Sequence, residues 1–372
     1  MRGDVQFFDR RLKLTGGVRA EQTNITAEGP LTDSTRNFQR DPSGNVRLGA
    51  NGRPLTILPA ADALGVSKLT FVDRGLHAEK EYLRLFPSLN ASFNFRENLI
   101  ARGAYYESVG RPDFDQYASG LTLPDTESPP GAGNRIAVNN VGIKAWEART
   151  IKLRLEYYFE GVGLVSVGAF RRHFENFFGN TVFNATPEFL ALYGLNPAVY
   201  AAYDVATQYN LASGVRMEGL EFDYKQALTF FPSWARGVQA FAKANAQRAL
   251  GDASSNFAGY VPRSASWGAS LTRPRYNLRV SWNYRARQRG NLVAAGSSIE
   301  PGTFNWALKR LYVDVSGEYN FRKSIALFAN VRNLGAAKDD NEVFGPSTPT
   351  HAQFRQRTDI GALWTLGLKG SF

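Results

Sequence analysis

The sequence predicts an all-β chain folded as an antiparallel transmembrane β-barrel wall of about thirteen strands. Three observations carry this. Apolar residues recur with period two, the alternating segments are long, and the connections between them are short and long in strict turn. No run of eighteen apolar residues occurs, so no transmembrane helix is expected. The most apolar long stretch, Phe189 to Tyr203, is broken by Gly194, Asn196 and Pro197.

Successive side chains of a strand point to opposite faces, so alternation marks one oily and one polar face. Gly3 to Phe8 is a short first segment. Next, Leu12, Leu14, Gly16, Val18 and Ala20 oppose Arg11, Lys13, Thr15, Arg19 and Glu21. Leu89, Ala91, Phe93 and Phe95 oppose Ser88, Asn90, Ser92, Asn94 and Arg96, and a strand reads at Leu99–Val109. Ile151, Leu153, Leu155, Tyr157 and Phe159 oppose Lys152, Arg154 and Glu156, and another strand follows Gly163. Beyond Leu220–Tyr224, Val238, Ala240, Ala242, Ala244 and Ala246 oppose Gln239, Lys243, Asn245 and Gln247, with Phe241 on the wrong side. Ala265–Leu271 comes next. Tyr276, Leu278, Val280, Trp282 and Tyr284 oppose Asn277, Arg279, Ser281, Asn283 and Arg285. Leu311, Val313, Val315, Gly317, Tyr319 and Phe321 oppose Asp314, Ser316, Glu318 and Asn320, and Ile325–Val331 follows. In the final strand, 358–372, Ile360, Ala362, Trp364, Leu366, Leu368, Gly370 and Phe372 share one parity, with Leu363 the exception on the other.

Segments of about 9–12 residues suit a tilted bilayer-spanning strand; soluble sandwiches prefer about 5–6. Arg, Lys and Glu in mid-strand suit a wet lumen, and an apolar face that accepts Ala and Gly as readily as Leu suits lipid. Aromatics add to the pattern. Phe95, Tyr157, Phe159, Tyr319, Phe321 and Phe372 fall at one end of their strands, and Trp267, Trp282 and Tyr284 toward the other, as two interfacial bands require. Short turns lie at 9–10, 96–98, 160–163, 231–234, 273–275 and 322–323; long loops lie near 25–82, 110–147, 178–212, 249–263, 288–309 and 335–357. Outer-membrane barrels have short periplasmic turns and long extracellular loops.

The chain has no Cys, which excludes disulfides, thiolate metal sites and a Cys nucleophile. His77, His173 and His351 show no metal-ligand spacing. Gly161-Val162-Gly163 reads as a hairpin turn, not a nucleotide loop. Asp339-Asp340-Asn341-Glu342 does not have the spacing of an EF-hand and reads as solvated loop charge. The formal charge of +11 comes from Arg and Lys scattered singly over polar strand faces. This points to a wetted channel wall favouring anionic solutes rather than to a nucleic-acid patch. No catalytic residue, cofactor or metal site is expected, so the chain reads as no enzyme. Arg19, Glu21, Tyr106, Asn245, Arg285, Arg332 and Asp359 combine polar parity with nearness to the long-loop rim, and are the candidate upper-lumen contacts for a solute.

Several segments resemble the TonB-dependent outer-membrane receptor family. Phe86-Pro87-Ser88-Leu89-Asn90 resembles its "LPSLN", and residues Asn98 to Pro112 resemble its "DNLVLRAAYSKTLARPDF" strand. Gly214-Val215-Arg216-Met217-Glu218-Gly219-Leu220-Glu221 is similar to its "G…GVEL", and Val331-Arg332-Asn333-Leu334 to its "V.NLFD". Phe372 matches its terminal aromatic. The "NPDLKPE" motif is degenerate at Asn139 to Glu147, which lacks the proline. The resemblance implies a Gram-negative outer-membrane location and TonB-energised uptake of a siderophore, cobalamin or oligosaccharide. It implies a monomer that meets the TonB complex through an N-terminal part, lipopolysaccharide at its flank and the barrel-assembly machinery through the strand ending at Phe372. It also implies a longer parent with a signal peptide, a TonB box, a plug and a 22-stranded barrel. Residues 1–372 would be the C-terminal barrel part, strands ten to twenty-two, without the plug. Met1-Arg2-Gly3-Asp4-Val5 leads straight into strand-like sequence, and an odd strand count cannot close antiparallel, so an open sheet is expected. The alternatives are a complete passive porin or a barrel protease or lipase.

Overall fold

The computed structural model describes all residues except 114–119, 132, 141–142, 161, 234–236, 252–256, 258, 294–298, 323 and 371–372; at 27–30 and 72–78 only the backbone is described. β1 (Arg2–Phe7), β2 (Leu12–Asp33), β3 (Phe71–Arg96) and β4 (Leu99–Gly110) come first, followed by the short β5 (Leu121–Leu123) and β6 (Ile136–Val138). β7 (Trp146–Phe159) and β8 (Gly163–Glu175) form a hairpin, with β9 (Phe178–Asn184) and β10 (Asp204–Asn210) in the next connection. Next come β11 (Val215–Ala227), β12 (Val238–Leu250), β13 (Arg263–Thr272), β14 (Tyr276–Arg285), β15 (Gln288–Leu292) and β16 (Phe304–Ala307). β17 (Arg310–Arg322), β18 (Ile325–Arg332), β19 (Asp339–Phe344), β20 (Phe354–Thr358) and β21 (Leu363–Gly370) complete the chain.

Thirteen of these strands form one antiparallel wall in the order β1-β2-β3-β4-β7-β8-β11-β12-β13-β14-β17-β18-β21, each paired with the next. This is the strand count, order and alternation of connections that the sequence predicts. Among the described residues no pairing joins β1 to β21.

Register fixes the faces. Leu153 pairs with Ala169, Ala169 with Leu220 and Leu220 with Ala246, which makes a continuous apolar row. Leu153 and Leu220 are each 61% exposed and Leu366 is 71% exposed. A water-soluble sheet would bury this face; a bilayer-spanning one turns it to lipid. Phe241 faces the other way because it has its own niche there. It pairs with Gly268, whose missing side chain leaves the room that the ring fills, and the Arg279 guanidinium lies 4.4 Å from its centroid.

The structure corrects several expectations. Trp267 pairs with Trp282 in a stacked contact; Trp282 lies toward the long-loop end of β14, but Trp267, the fifth of ten residues in β13, sits near the middle of its strand. The final strand begins at Leu363, not at 358: Gly361 takes a left-handed φ of 60° and breaks the backbone ahead of it. Phe372, Gly161 and the side chain of His77 lie outside the described residues.

The long connections are not simple loops. β15, β16, β19 and β20 form a separate four-stranded sheet beyond the wall. The extended tip of β2 pairs parallel with β5, and β6 pairs parallel with β10. Helices α1 (Ala63–Thr70), α2 (Pro187–Leu192) and α3 (Pro197–Tyr200) lie among these segments, the last two each with proline in the first turn. Leu31, Leu121, Ile136, Leu190, Tyr203 and Val205 pack into a buried hydrophobic core there.

Candidate functional site

The charged side chains of the wall gather on its polar face. Arg102, Arg154, Gly168, Glu221, Asn245, Ser264, Arg285 and Arg310 pair successively across eight neighbouring strands in a single register row. Opposite charges alternate along and beside it. Glu156, only 8% exposed at its side chain, meets Arg102 at 3.0 Å and Arg154 at 3.2 Å and accepts from the Tyr158 hydroxyl at 2.9 Å. Lys152 pairs with Glu221 at 2.5 Å, and Asp223 lies 3.6 Å from Lys243 and 4.0 Å from Arg154. Such a network keeps buried charges paired while leaving a hydrated, ion-lined surface.

The seven predicted residues do not form one cluster. Arg19 and Glu21 meet at 2.9 Å on β2, and Arg111, just after β4, donates to Glu21 at 2.7 Å. Arg19 also lies over the Phe86 ring, 5.1 Å from its centroid. Tyr106 is half-buried on β4, opposite Ser88 and Thr150. Asn245 and Arg285 sit on the row described above, separated only by Ser264. Both carry a buried polar atom, Oδ1 and Nε respectively, without a hydrogen-bond partner in the protein. Asn245 opens onto a cavity of about 390 Å³, lined also by Arg154, Asp223, Lys243 and Asn283. Arg332 is exposed at the end of β18. Asp359 is not on a strand face: it sits in the connection before β21, 3.1 Å from Lys338, and accepts from the Gly361 N–H. The Lys338 contact and the Gly361 hydrogen bond hold its carboxyl below the usual range.

Sequence reasoning, restricted to the rim, missed Arg102, Arg154, Glu156, Glu221 and Asp223. Their mid-strand polar parity was the available signal. It also missed an aromatic cluster at the long-loop end. There Phe174 and Phe177 meet Phe257, with centroids 4.9 Å and 4.7 Å from it, and Trp146 packs on Phe174 and Phe177. Nor are the 339–342 carboxylates loose solvated charges. They lie on β19 and each takes an arginine: Asp339 with Arg310 at 2.6 Å, Asp340 with Arg357 at 2.7 Å, Glu342 with Arg287 at 2.6 Å. The bidentate Arg357 contact holds the Asp340 carboxyl below its usual range. No group of three metal-ligating side chains exists among the described residues.

The family model described as TonB dependent receptor-like, beta-barrel matches residues 2–334. No curated protein matches the chain in sequence. Among solved structures, the ferric-catecholate import receptor of Escherichia coli K12 superposes with a TM-score of 0.58 at 14% identity, over 98% of this chain and 43% of that one. A ferric enterobactin receptor mutant from Pseudomonas aeruginosa gives 0.57 at 15% identity, over 100% of this chain and 53% of that one. The Serratia marcescens hemophore receptor, solved with its hemophore and heme, gives 0.53 at 14% identity, over 98% and 49%. The chain therefore spans about half the length of the structures it resembles, and at these identities the likeness is one of fold.

Proposed function

Because this chain belongs to the TonB-dependent receptor-like β-barrel family, we propose that it is the outer-membrane wall of a receptor that takes up a scarce solute with TonB-transmitted energy. The observation that carries this reading is the opposition of faces: exposed leucines on one side, a register row of charged and polar residues on the other. The net positive charge and the many arginines of that row favour an anionic solute, of the siderophore-chelate or acidic-oligosaccharide kind. Asn245 Oδ1 and Arg285 Nε, buried and unpartnered, supply a hydrogen-bond acceptor and a cationic donor for it.

In this reading residues 1–372 are the C-terminal part of a 22-stranded barrel, and a plug and TonB box belong to the same protein. Coverage of about half of the solved receptors supports it, as does the odd number of wall strands, which cannot close antiparallel. Lipopolysaccharide at the flank and the assembly machinery are the partners it implies. Reading the DNA upstream of the Met1 codon for an in-frame plug tests the division. Uptake of a radiolabelled ferric catecholate and of an acidic oligosaccharide by cells carrying the intact gene tests the activity. Accumulation should need the proton-motive force and should fall at least tenfold in an Asn245→Ala, Arg285→Ala variant. Stable ion conductance by the purified chain alone, with no energised uptake, would replace the receptor by a passive porin.

A further inference from the structure

The connection between β2 and β3 carries a small module that belongs to neither the wall nor the solute row. Residues 38–57 double back twice, and the three chain passes bond to one another in a closed ring. Gln39 N–H donates to the Leu55 carbonyl, Arg47 N–H to that of Gln39 and Leu55 N–H to that of Arg47, each at 2.8 Å. Asn37 clamps the base: its amide donates to the Leu58 carbonyl at 3.0 Å and accepts from the Leu58 N–H at 2.9 Å. The second and third passes are joined by a turn, Gly49-Ala50-Asn51-Gly52-Arg53. It is closed by the Gly49 N–H on the Arg53 carbonyl at 2.8 Å and by the Gly52 N–H on the Gly49 carbonyl at 3.0 Å.

Asn51-Gly52 is the only Asn-Gly pair in the chain, and both residues are exposed. A main-chain nitrogen can attack the side-chain amide of the asparagine before it when the two are held close, the nitrogen is unshielded and the developing charge is stabilised. This turn meets all three conditions. The Asn51 side chain folds back over its own main chain, its Oδ1 accepting from the Arg53 N–H at 3.1 Å; this Asx turn lays Cγ beside the Gly52 nitrogen. Gly52 has no side chain to shield that nitrogen, and the space where one would stand is empty to 4 Å. The Arg53 N–H already points at the oxygen on which negative charge collects during attack, the place of an oxyanion donor. Only the bond from Gly52 N–H to the Gly49 carbonyl opposes the attack, and a single bond in an exposed turn opens readily. Asn45, exposed in the neighbouring turn, is followed by the β-branched Val46, and its amide instead donates to Asp41 Oδ2 at 3.4 Å.

We propose that Asn51 is a site of spontaneous covalent modification, with water as the only co-reactant. The Gly52 nitrogen gives its proton to hydroxide and bonds to Asn51 Cγ; the Cγ–Nδ2 bond breaks, and Nδ2 leaves as ammonia with a proton from water. Water then opens the five-membered imide at one of its two carbonyls, leaving aspartate or isoaspartate. The isoaspartate form puts one extra carbon into the main chain between residues 51 and 52. That shifts Leu55 against Arg47 and breaks the ring of bonds that holds the module. The site is independent of the transported solute and of the bilayer.

The test ages the intact protein in phosphatidylcholine vesicles in mildly alkaline buffer, beside the same protein unfolded in urea, and follows both by tryptic peptide mass spectrometry. Arg53 precedes Pro54 and resists trypsin, so the reporting peptide is Leu48–Lys68, in which Asn51 is the only amide side chain. The expected result is conversion of Asn51 at least tenfold faster than that of Asn45, at least threefold faster folded than unfolded, with isoaspartate among the products. Arg53→Pro keeps the Asn-Gly pair but removes the N–H donor, and should bring the folded rate down to the unfolded one. Hydrogen exchange at the Gln39 and Leu55 amides should quicken in the aged protein but not in Asn51→Asp, which carries the charge without the extra carbon. A folded rate no faster than the unfolded rate, or an unchanged rate in Arg53→Pro, overturns the site. Unchanged exchange in protein shown to hold isoaspartate overturns the opening of the module.

Discussion

Leu366 and Thr365 are neighbours on β21 with opposite surroundings. Leu366 pairs with Ala329 on the outward face and is 71% exposed; Thr365 pairs with Asn330 on the polar face and is also exposed. If the outward face met water, arginine at Leu366 would be harmless. If it meets lipid, the cost depends on depth. Leu366 lies four residues from Gly370, the short-turn end of β21. At about 3.3 Å per residue and a tilt near 40°, that is roughly 10 Å, close to the midplane of an apolar band about 25 Å tall. Leu366→Arg should therefore cost about 2–4 kcal/mol, which is roughly 30-fold to nearly 1,000-fold in the folding equilibrium. Thr365→Arg should stay within about 1 kcal/mol. Reversible denaturant unfolding in phosphatidylcholine vesicles measures both, with the adjacent Trp364 reporting from the lipid face. Equal costs at the two positions, or none at Leu366, would refute the assignment of faces.

The same asymmetry should hold at Leu153, whose replacement by arginine should cost as much as that of Leu366 in the same assay. Glu156→Gln would remove the carboxylate that Arg102 and Arg154 share, leaving Arg154 to the Asp223 carboxylate 4.0 Å away; a loss of about 2 kcal/mol is expected once the half-exposed arginines are allowed for, read by vesicle unfolding. Asp340 has a depressed folded pKa, so the stability it contributes is fully present above the ordinary carboxylate value and is lost as pH falls through its lower one. Hydrogen exchange at β19 and β20 should show protection declining below about pH 4 in the parent and flat in Asp340→Asn. Leu190→Ala, at a side chain only 1% exposed, should cost about 2–4 kcal/mol. The loss should appear as reduced exchange protection in the external lobe, the long-connection segments β5, β6, β10 and α2 packed around this core, with wall strands unchanged.

The wall was legible because its signal is local. Period two over nine or more residues specifies both strand and face, and connection lengths specify the order. The external structure was not legible because its signal is contact between distant segments. β5 and β6 have three residues each, too few to show a period, and exist only because Leu121 pairs with Leu31 and Ile136 with Val205. β19 reads as an acidic loop until its arginine partners are placed beside it. At the candidate site, the Arg19–Glu21 contact follows from their spacing of two on one strand face, whereas Arg111 reaches Glu21 from 90 residues away. Asp359 was assigned to a strand because alternation runs through Gly361 unbroken, although the backbone turns there.

The shared core of the external lobe has a consequence for how such a protein can change over generations. The connections at 25–82, 110–147 and 178–212 contribute Leu31, Leu121, Ile136, Leu190 and Val205 to one buried cluster, while the connections at 288–309 and 335–357 share a sheet. A surface under attack from antibodies or phage would ordinarily vary one loop at a time. Here an insertion in any one of the first three shifts a buried partner of the other two. Escape variants should instead arise as compensated sets within each group. The unit exchanged by recombination would then be the lobe, not the loop.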